Sequence, residues 1–329
     1  MNKALVTGGA GFIGSHLASD LLERGWAVEI VDDLSTGREE NVADLKGNPR
    51  FSVVEGSVMD RHLMHDLIDR ADVVFHLAAA VGVQLIVEQP VRTIESNIRG
   101  TELILELSSL NGTPVLLTST SEIYGKLDHA EFDEEDDMVL GPTSRARWCY
   151  AASKIIDEFL AIAYYKEQRL PTIIVRLFNT VGPRQTGQYG MVVPRFVRQT
   201  LAGEPITVYG DGTQRRSFTW ISDVVGSMIA LIGRPEAYGK VFNIGHTEEI
   251  SIYDLAVMVK ELTGSDSGIE FIPYEQAYEP GFEDINRRLP NLAKIRALIG
   301  YEPSMNLPAM LKKIIVYERA RLTPAGPRA

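Results

Sequence analysis

Residues 7–16 read TGGAGFIGSH, and the way this stretch folds decides the architecture of the chain. It follows the apolar run KALV and leads into SHLASDLLERG, whose apolar residues recur at helical spacing. Gly8, Gly11 and Gly14 therefore fall in a turn between a strand and a helix. Glycines there permit a tight turn, let the backbone approach a pyrophosphate and let the helix pack closely on the strand. The helix N-terminus supplies N–H donors and positive dipole, and Phe12 and Ile13 of the same turn join the candidate cofactor-binding set. Asp32 and Asp33 end the next strand-like run, AVEIVDD, about 20 residues on, where an acid meets the adenosine ribose of a dinucleotide. Their charge repels a 2′-phosphate, so the pattern selects NAD over NADP. Ser57 and Val58, after the third run, are expected to flank the adenine, and Leu77, Ala78, Ala79 and Ala80 to line the nicotinamide side.

Outward from this turn, β-branched runs alternate with amphipathic stretches. KALVTGG, AVEIVDD, RFSVVEG, ADVVFHLAAA, TPVLLTSTS and PTIIVRLFN read as near-continuous apolar strands, separated by helices such as RTIESNIRGTELILELSSLNG. Such strands need cover on both faces, which predicts an α/β fold: a Rossmann-like, doubly wound parallel sheet with a smaller C-terminal α/β substrate lobe. Residues 1–178 form the expected NAD-binding domain, with 218–247 returning to it through a helix from Ile221 and the strand KVFNIG. Residues 179–217 and 248–329 form the second lobe. The acidic run EFDEEDD, 131–137, reads as a solvated loop, and the tail TPAGPRA as a fraying end.

Composition narrows the function classes. The 329 residues are 45% hydrophobic and 23% charged, which suits globular folding without staples. A net charge of −11 argues against nucleic acid as a partner, because phosphate backbones are held by lysine and arginine. One cysteine, Cys149, excludes an internal disulfide, no apolar run reaches membrane-span length, and the N-terminus opens as a strand instead of a signal peptide. The expectation is a cytoplasmic protein. Cys149 reads as a small buried side chain, Trp148 and Trp220 as packing groups and His76 as hydrogen-bonded structure, and no cluster has metal-ligand spacing.

A second constellation concerns proton transfer. In RWCYAASKIIDEF, Tyr150 and Lys154 are four apart and share a helix face. A lysine cation beside the phenol would lower its pKa toward neutrality, and Thr120 can hydrogen-bond the same substrate hydroxyl. Proton removal is then coupled to hydride loss.

On these residues the sequence resembles the extended short-chain dehydrogenase/reductase family, whose members modify nucleotide-linked sugars. The similarity spans nearly the whole chain, through TGGAGFIGSH, VDDLSTG, HLAAAVG, TSTSEIYG, YAASK, RLFNTVGPRQ, VYGDGTQRRSFTWISDV and VFNIG. The resemblance implies that Thr120, Tyr150 and Lys154 form a catalytic triad and that NAD stays bound through the cycle. It implies Asn179, Val208, Tyr209 and Arg216 as holders of the nucleotide diphosphate, with Val193 in the same substrate set. Arg216 offers a planar fork to phosphate oxygens and Asn179 a neutral donor.

Members share oxidation of the sugar C4 hydroxyl and then diverge. Simple 4-epimerases tend to carry small neutral residues after the catalytic Thr or Ser, dehydratases Asp-Glu, and UDP-glucuronate decarboxylases and UDP-apiose/xylose synthases Ser-Glu or Cys-Glu; this chain has Ser121-Glu122 and resembles the last group in its motifs. Arg147, three before Tyr150, and Arg288, within GFEDINRRLPNLAKI, resemble decarboxylase arginines that meet the substrate carboxylate and the Ser-Glu pair. Two features lean the other way: Ile86 stands where decarboxylases usually have a tyrosine, and residues 186–212 are closer to epimerases. The expectation is UDP-glucuronate decarboxylation to UDP-xylose or its 4-keto intermediate. The alternatives are a UDP-sugar 4-epimerase acting on UDP-glucose/galactose or UDP-glucuronate/galacturonate, and, from another class, a non-catalytic NAD-binding redox sensor. Wide apolar arcs on the helices starting near Val91 and Ala151 match the helices that family members pair in a homodimer.

Overall fold

The computed structural model describes residues 2–80, 89–187, 191–277, 285 and 287–322. Its centre is a seven-stranded sheet of β1 (Lys3–Thr7), β2 (Ala27–Asp32), β3 (Phe51–Glu55), β4 (Val73–His76), β5 (Val115–Thr120), β6 (Thr172–Leu177) and β11 (Lys240–Ile244). The order is β11-β6-β5-β4-β1-β2-β3, and every pairing is parallel. The chain winds from β1 to one edge, returns to β4 and winds to the other. Between β1 and β4 the direction reverses, which opens a crevice at the strand C-terminal ends.

Why both faces are covered is visible within β1. Ala4 and Val6 belong to a core shared with Leu17 and Leu21 of α1 (Phe12–Glu23) and Val224 and Met228 of α6 (Ile221–Ile232). Leu5, between them, points into a second core with Met64 and Leu67 of α2 (Arg61–Asp69), Ile104 and Leu105 of α3 (Pro90–Asn111) and Ala161 of α4 (Trp148–Gln168). Period-two alternation with both faces apolar is the condition a buried parallel strand must meet. The edge strand β3 meets it least, being mostly exposed.

Past β6 come β7 (Thr180–Val181), α5 (Val192–Ala202), β8 (Ile206–Tyr209), β9 (Arg215–Ser217) and β10 (Thr219–Trp220). After β11 follow β12 (Glu249–Ser251), α7 (Ile252–Thr263), β13 (Ile269–Ile272), α8 (Tyr274–Ala277), β14 (Arg287–Arg288), α9 (Ala293–Ile299) and α10 (Leu307–Leu322). Three small sheets form among the described residues, the first pairing β7 with β10. β8 pairs with β13, and β9 lies between β12 and β14, with Arg288 in register opposite Arg216. Trp148 and Trp220 are both buried.

One expectation is corrected. The acidic run 131–137 is not simply a solvated loop, because Phe132 and Glu134 are buried. The Phe132 ring stacks on Tyr124 at 4.6 Å, its N–H donates to the Leu289 carbonyl, and its own carbonyl accepts from the Asn291 N–H. Glu134 accepts from the Asn243 N–H (2.8 Å), and its carbonyl accepts from Arg176, which also forks onto Glu158 of α4. The segment thus ties the turn after β5 to the chain that carries Arg288. Ile86 and the tail 323–329 lie outside the described residues.

Candidate active site

A cavity of about 1030 Å³ opens along the strand C-terminal ends. At one end lies the glycine turn. Gly8 has φ +68°, and a Cβ there would sit 2.9 Å from the Ala78 nitrogen; a Cβ on Gly14 would sit 2.3 Å from the Gly8 carbonyl oxygen. Only glycine gives this turn its conformation and lets α1 start against β1. Gly11, Phe12, Ile13, Ser57, Val58, Leu77, Ala78 and Ala79 line the same space. Asp32 is buried beneath it, with Oδ2 accepting from the Ala10 N–H and Oδ1 from the Leu34 N–H, both at 2.9 Å. Burial raises its pKa, and those N–H donors oppose the rise. Asp33 is exposed and accepts from Ser35. A cradle without side chains at a helix N-terminus, next to acceptors for hydroxyl groups, fits a dinucleotide without a 2′-phosphate.

Across the crevice stand Thr120, Tyr150 and Lys154, the residues expected to transfer the proton. Thr120 ends β5, and its Oγ1 accepts from the Glu122 N–H (3.2 Å), capping the short turn 121–124. Tyr150 and Lys154 project from the first turns of α4, both buried, and the Tyr150 hydroxyl is hydrogen-bonded to Thr120. Here the structure departs from expectation. Burial raises the phenol pKa, the Glu122 and Asp157 carboxylates raise it further, and Thr120 and Arg288 oppose the rise. Lys154 Nζ donates to Asp157 Oδ2 at 2.8 Å.

Glu122 faces two guanidinium groups. Arg288 Nη1 lies 3.2 Å from Oε1 and Arg147 Nη2 3.8 Å from Oε2, with both arginines buried. Arg147 is held from behind over the Trp148 ring at 4.9 Å. Arg288 Nε is buried with no hydrogen-bond partner among the described residues. Two guanidinium groups thus converge on one carboxylate in the cavity wall, near Tyr150. Ser121 lines the same wall.

Farther along, Asn179, Val193, Tyr209 and Arg216 line the cavity; Asn179 Nδ2 donates to the Ser217 carbonyl (2.9 Å). Val208 does not line it. Strand alternation turns its side chain into the core, where it is fully buried under Gly212, while Tyr209 turns to the cavity. Sequence reasoning missed Arg195, whose guanidinium lies 3.8 Å over the Tyr209 ring, and Asp157. Arg195 sits on an amphipathic helix whose polar face reads as solvated, so periodicity gave no sign of it.

With this geometry in view, comparison with known proteins is informative. Residues 5–314 match the family model described as GDP-mannose 4,6 dehydratase. The chain belongs to that family, among the extended short-chain dehydrogenases/reductases. It is 42% identical over 318 residues to a UDP-N-acetyl-alpha-D-glucosaminuronate decarboxylase of Bacillus cytotoxicus, covering 96% of this chain and 98% of that protein. UDP-glucuronic acid decarboxylase 1 of Arabidopsis thaliana is 36% identical, over 97% of this chain and 70% of that protein. Among solved structures, a UDP-glucuronic acid 4-epimerase from Bacillus cereus, in complex with UDP-glucuronic acid and NAD, superposes with a TM-score of 0.86 at 29% identity, covering 97% and 99% of the two chains.

Proposed function

We propose that this extended short-chain dehydrogenase/reductase is an NAD-dependent decarboxylase of a UDP-linked hexuronate, with UDP-glucuronate the leading substrate and its 2-acetamido analogue the next. The observation that carries the reading is Glu122 held between Arg147 and Arg288, with Arg288 Nε unpartnered among the described residues, next to the Tyr150 hydroxyl. A carboxylate on C5 of a sugar whose C4 hydroxyl meets Tyr150 would come within reach of these two guanidinium groups. Relatives named as decarboxylases of two UDP-hexuronates support the same reaction.

The glycine turn and Asp32 would hold NAD, whose nicotinamide would supply hydride-acceptor chemistry at C4 and hydride-donor chemistry for the final reduction. Every other step falls to the chain. Tyr150, as phenolate, takes the C4 hydroxyl proton while Thr120 orients that hydroxyl. The resulting β-keto acid loses carbon dioxide as the C5–C6 bond breaks and its electron pair passes into the C4 enolate. Arg288 and Arg147 first bind the carboxylate and release it as its charge leaves. Ser121 and Glu122 manage proton delivery to C5. Asn179 and Arg216 hold the diphosphate, which tethers the sugar while its ring changes chemistry.

Incubation with NAD and each of the two UDP-hexuronates, followed by product mass and NMR, tests this. Carbon dioxide and a UDP-pentose or UDP-4-keto-pentose are expected. Conversion of UDP-glucuronate to UDP-galacturonate with no gas would replace the reading by 4-epimerisation, which the Bacillus cereus fold neighbour and residues 186–212 favour. Turnover of either kind removes the redox-sensor alternative. We also infer a cytoplasmic homodimer. The outer faces of α3 and α4 expose Val91, Ile94, Ile156 and Phe159, an apolar surface that a second copy would cover. Sedimentation at the monomer mass would remove that inference. Among the described residues no helix is long and apolar enough to cross a membrane.

A further inference from the structure

Lys154 and Asp157 form an ion pair of an uncommon kind. On a helix surface a lysine and an aspartate three apart contribute little. Here both lie in the interior, 2% and 0% exposed, with Lys154 Nζ 2.8 Å from Asp157 Oδ2. Against them pack Thr101 of α3, whose hydroxyl is hydrogen-bonded to the Asp157 carboxylate, and His76 of β4, whose Nε2 lies 3.2 Å from Thr101 Oγ1. His76 Nδ1 is in turn 2.8 Å from Thr7 Oγ1. A buried cation is costly unless an anion lies beside it, and Asp157 is that anion. The same carboxylate, however, draws the lysine's field away from Tyr150, two turns earlier on the same face of α4.

We propose that Asp157 is a positioning residue of the reaction, which holds the Lys154 ammonium aligned in the core and sets the pH at which Tyr150 becomes a base. The charged and titratable groups around the pair are few. On α4 they are Tyr150 and Glu158, the latter occupied by Arg176. From β4 comes His76, which burial and the Lys154 charge keep neutral, and α3 brings only the Thr101 hydroxyl. Tyr150 itself faces Thr120 and Glu122 after β5 and Arg288 of β14. Asp157 is thus the anion placed to oppose Lys154, and Glu122, the other carboxylate near Tyr150, already has two arginines.

The inference rests on the reading of Tyr150 as the base, and the test separates the two. Asp157→Asn keeps the shape and an acceptor for Lys154 but removes the charge. Seven residues of helix separate Asp157 from Tyr150 by about 10.5 Å along the axis, and a unit charge at that distance in protein corresponds to about one pH unit. The acidic limb of kcat/KM is expected to move down by about that much. In the cofactor-free protein, ultraviolet difference titration against Tyr150→Phe should show ionisation of Tyr150 beginning lower by a similar interval. A merely structural role would lower activity and leave both curves in place. Unmoved curves, or a shift upward, overturn the assignment. If Asp157→Asn folds poorly, Asp157→Ser removes the same charge without enlarging the side chain. Turnover surviving in Tyr150→Phe would instead fail the reading of Tyr150 as base, whatever Asp157 does.

Discussion

Replacing Arg288 by methionine keeps much of its aliphatic volume and deletes the guanidinium 3.2 Å from Glu122. Arg147 remains, at 3.8 Å, so Glu122 keeps the more distant of its two cations. Removing one partner of a buried ion pair costs about 3–5 kcal/mol. The Glu122 side chain is 16% exposed and Arg147 still compensates it, which points to the lower end. In the proposed reaction Arg288 also receives the substrate carboxylate, so the variant presents an under-compensated Glu122 to an anionic substrate. About 3 kcal/mol in the transition state is a loss of about 100-fold in kcat/KM. The assay is carbon dioxide release and NMR of the sugar product. Arg288→Lys should recover part of the loss, because a lysine restores charge but not the planar fork. Arg288→Met turning over UDP-hexuronates within about threefold of the parent would refute the idea that this guanidinium meets the carboxylate. So would equal losses on neutral UDP-hexoses, because the effect should be confined to substrates that carry the acid.

Two further outcomes follow from the geometry. Gly14→Ala puts a Cβ 2.3 Å from the Gly8 carbonyl oxygen, backbone that cannot swing away, so NAD affinity measured by calorimetry should fall by at least about tenfold. His76 is buried and its pKa is depressed from 6.5 to about 3, first by burial and then by Lys154. Between those values the unfolded chain binds a proton that the folded chain refuses. Its contribution to stability is therefore complete above 6.5 and is lost as pH falls toward 3, at up to about 1.4 kcal/mol per pH unit. Urea unfolding across that window should show a smaller slope against pH in His76→Asn than in the parent chain.

The glycine turn, the acid after the second strand and the strand-helix alternation made the sheet legible, because local steric needs and period-two burial are written in neighbouring residues. Much of the site could be read for the same reason. Thr120, Ser121, Glu122, Tyr150 and Lys154 lie at strand and helix ends that the pattern locates. The side chain of Val208 turns away from the cavity and that of Tyr209 toward it, because a short strand's alternation in sequence does not reveal which face meets the cavity. The acidic segment at 131–137 looked solvated because Phe132 and Glu134 find their partners, Tyr124 and Asn243, on other elements.

What the chain determines by itself is the order of its elements and the chemistry carried at their ends, since propensity, turn chemistry and periodicity are local properties. Tertiary structure decided how charges are shared. Glu122 and Arg288 are 166 residues apart and meet only because β14 pairs with β9 beside the turn after β5. Lys154 pairs with Asp157 within the core because α3 and α4 together bury both. Electrostatic energy depends on distance and on exclusion of water, and both are set when remote segments pack together.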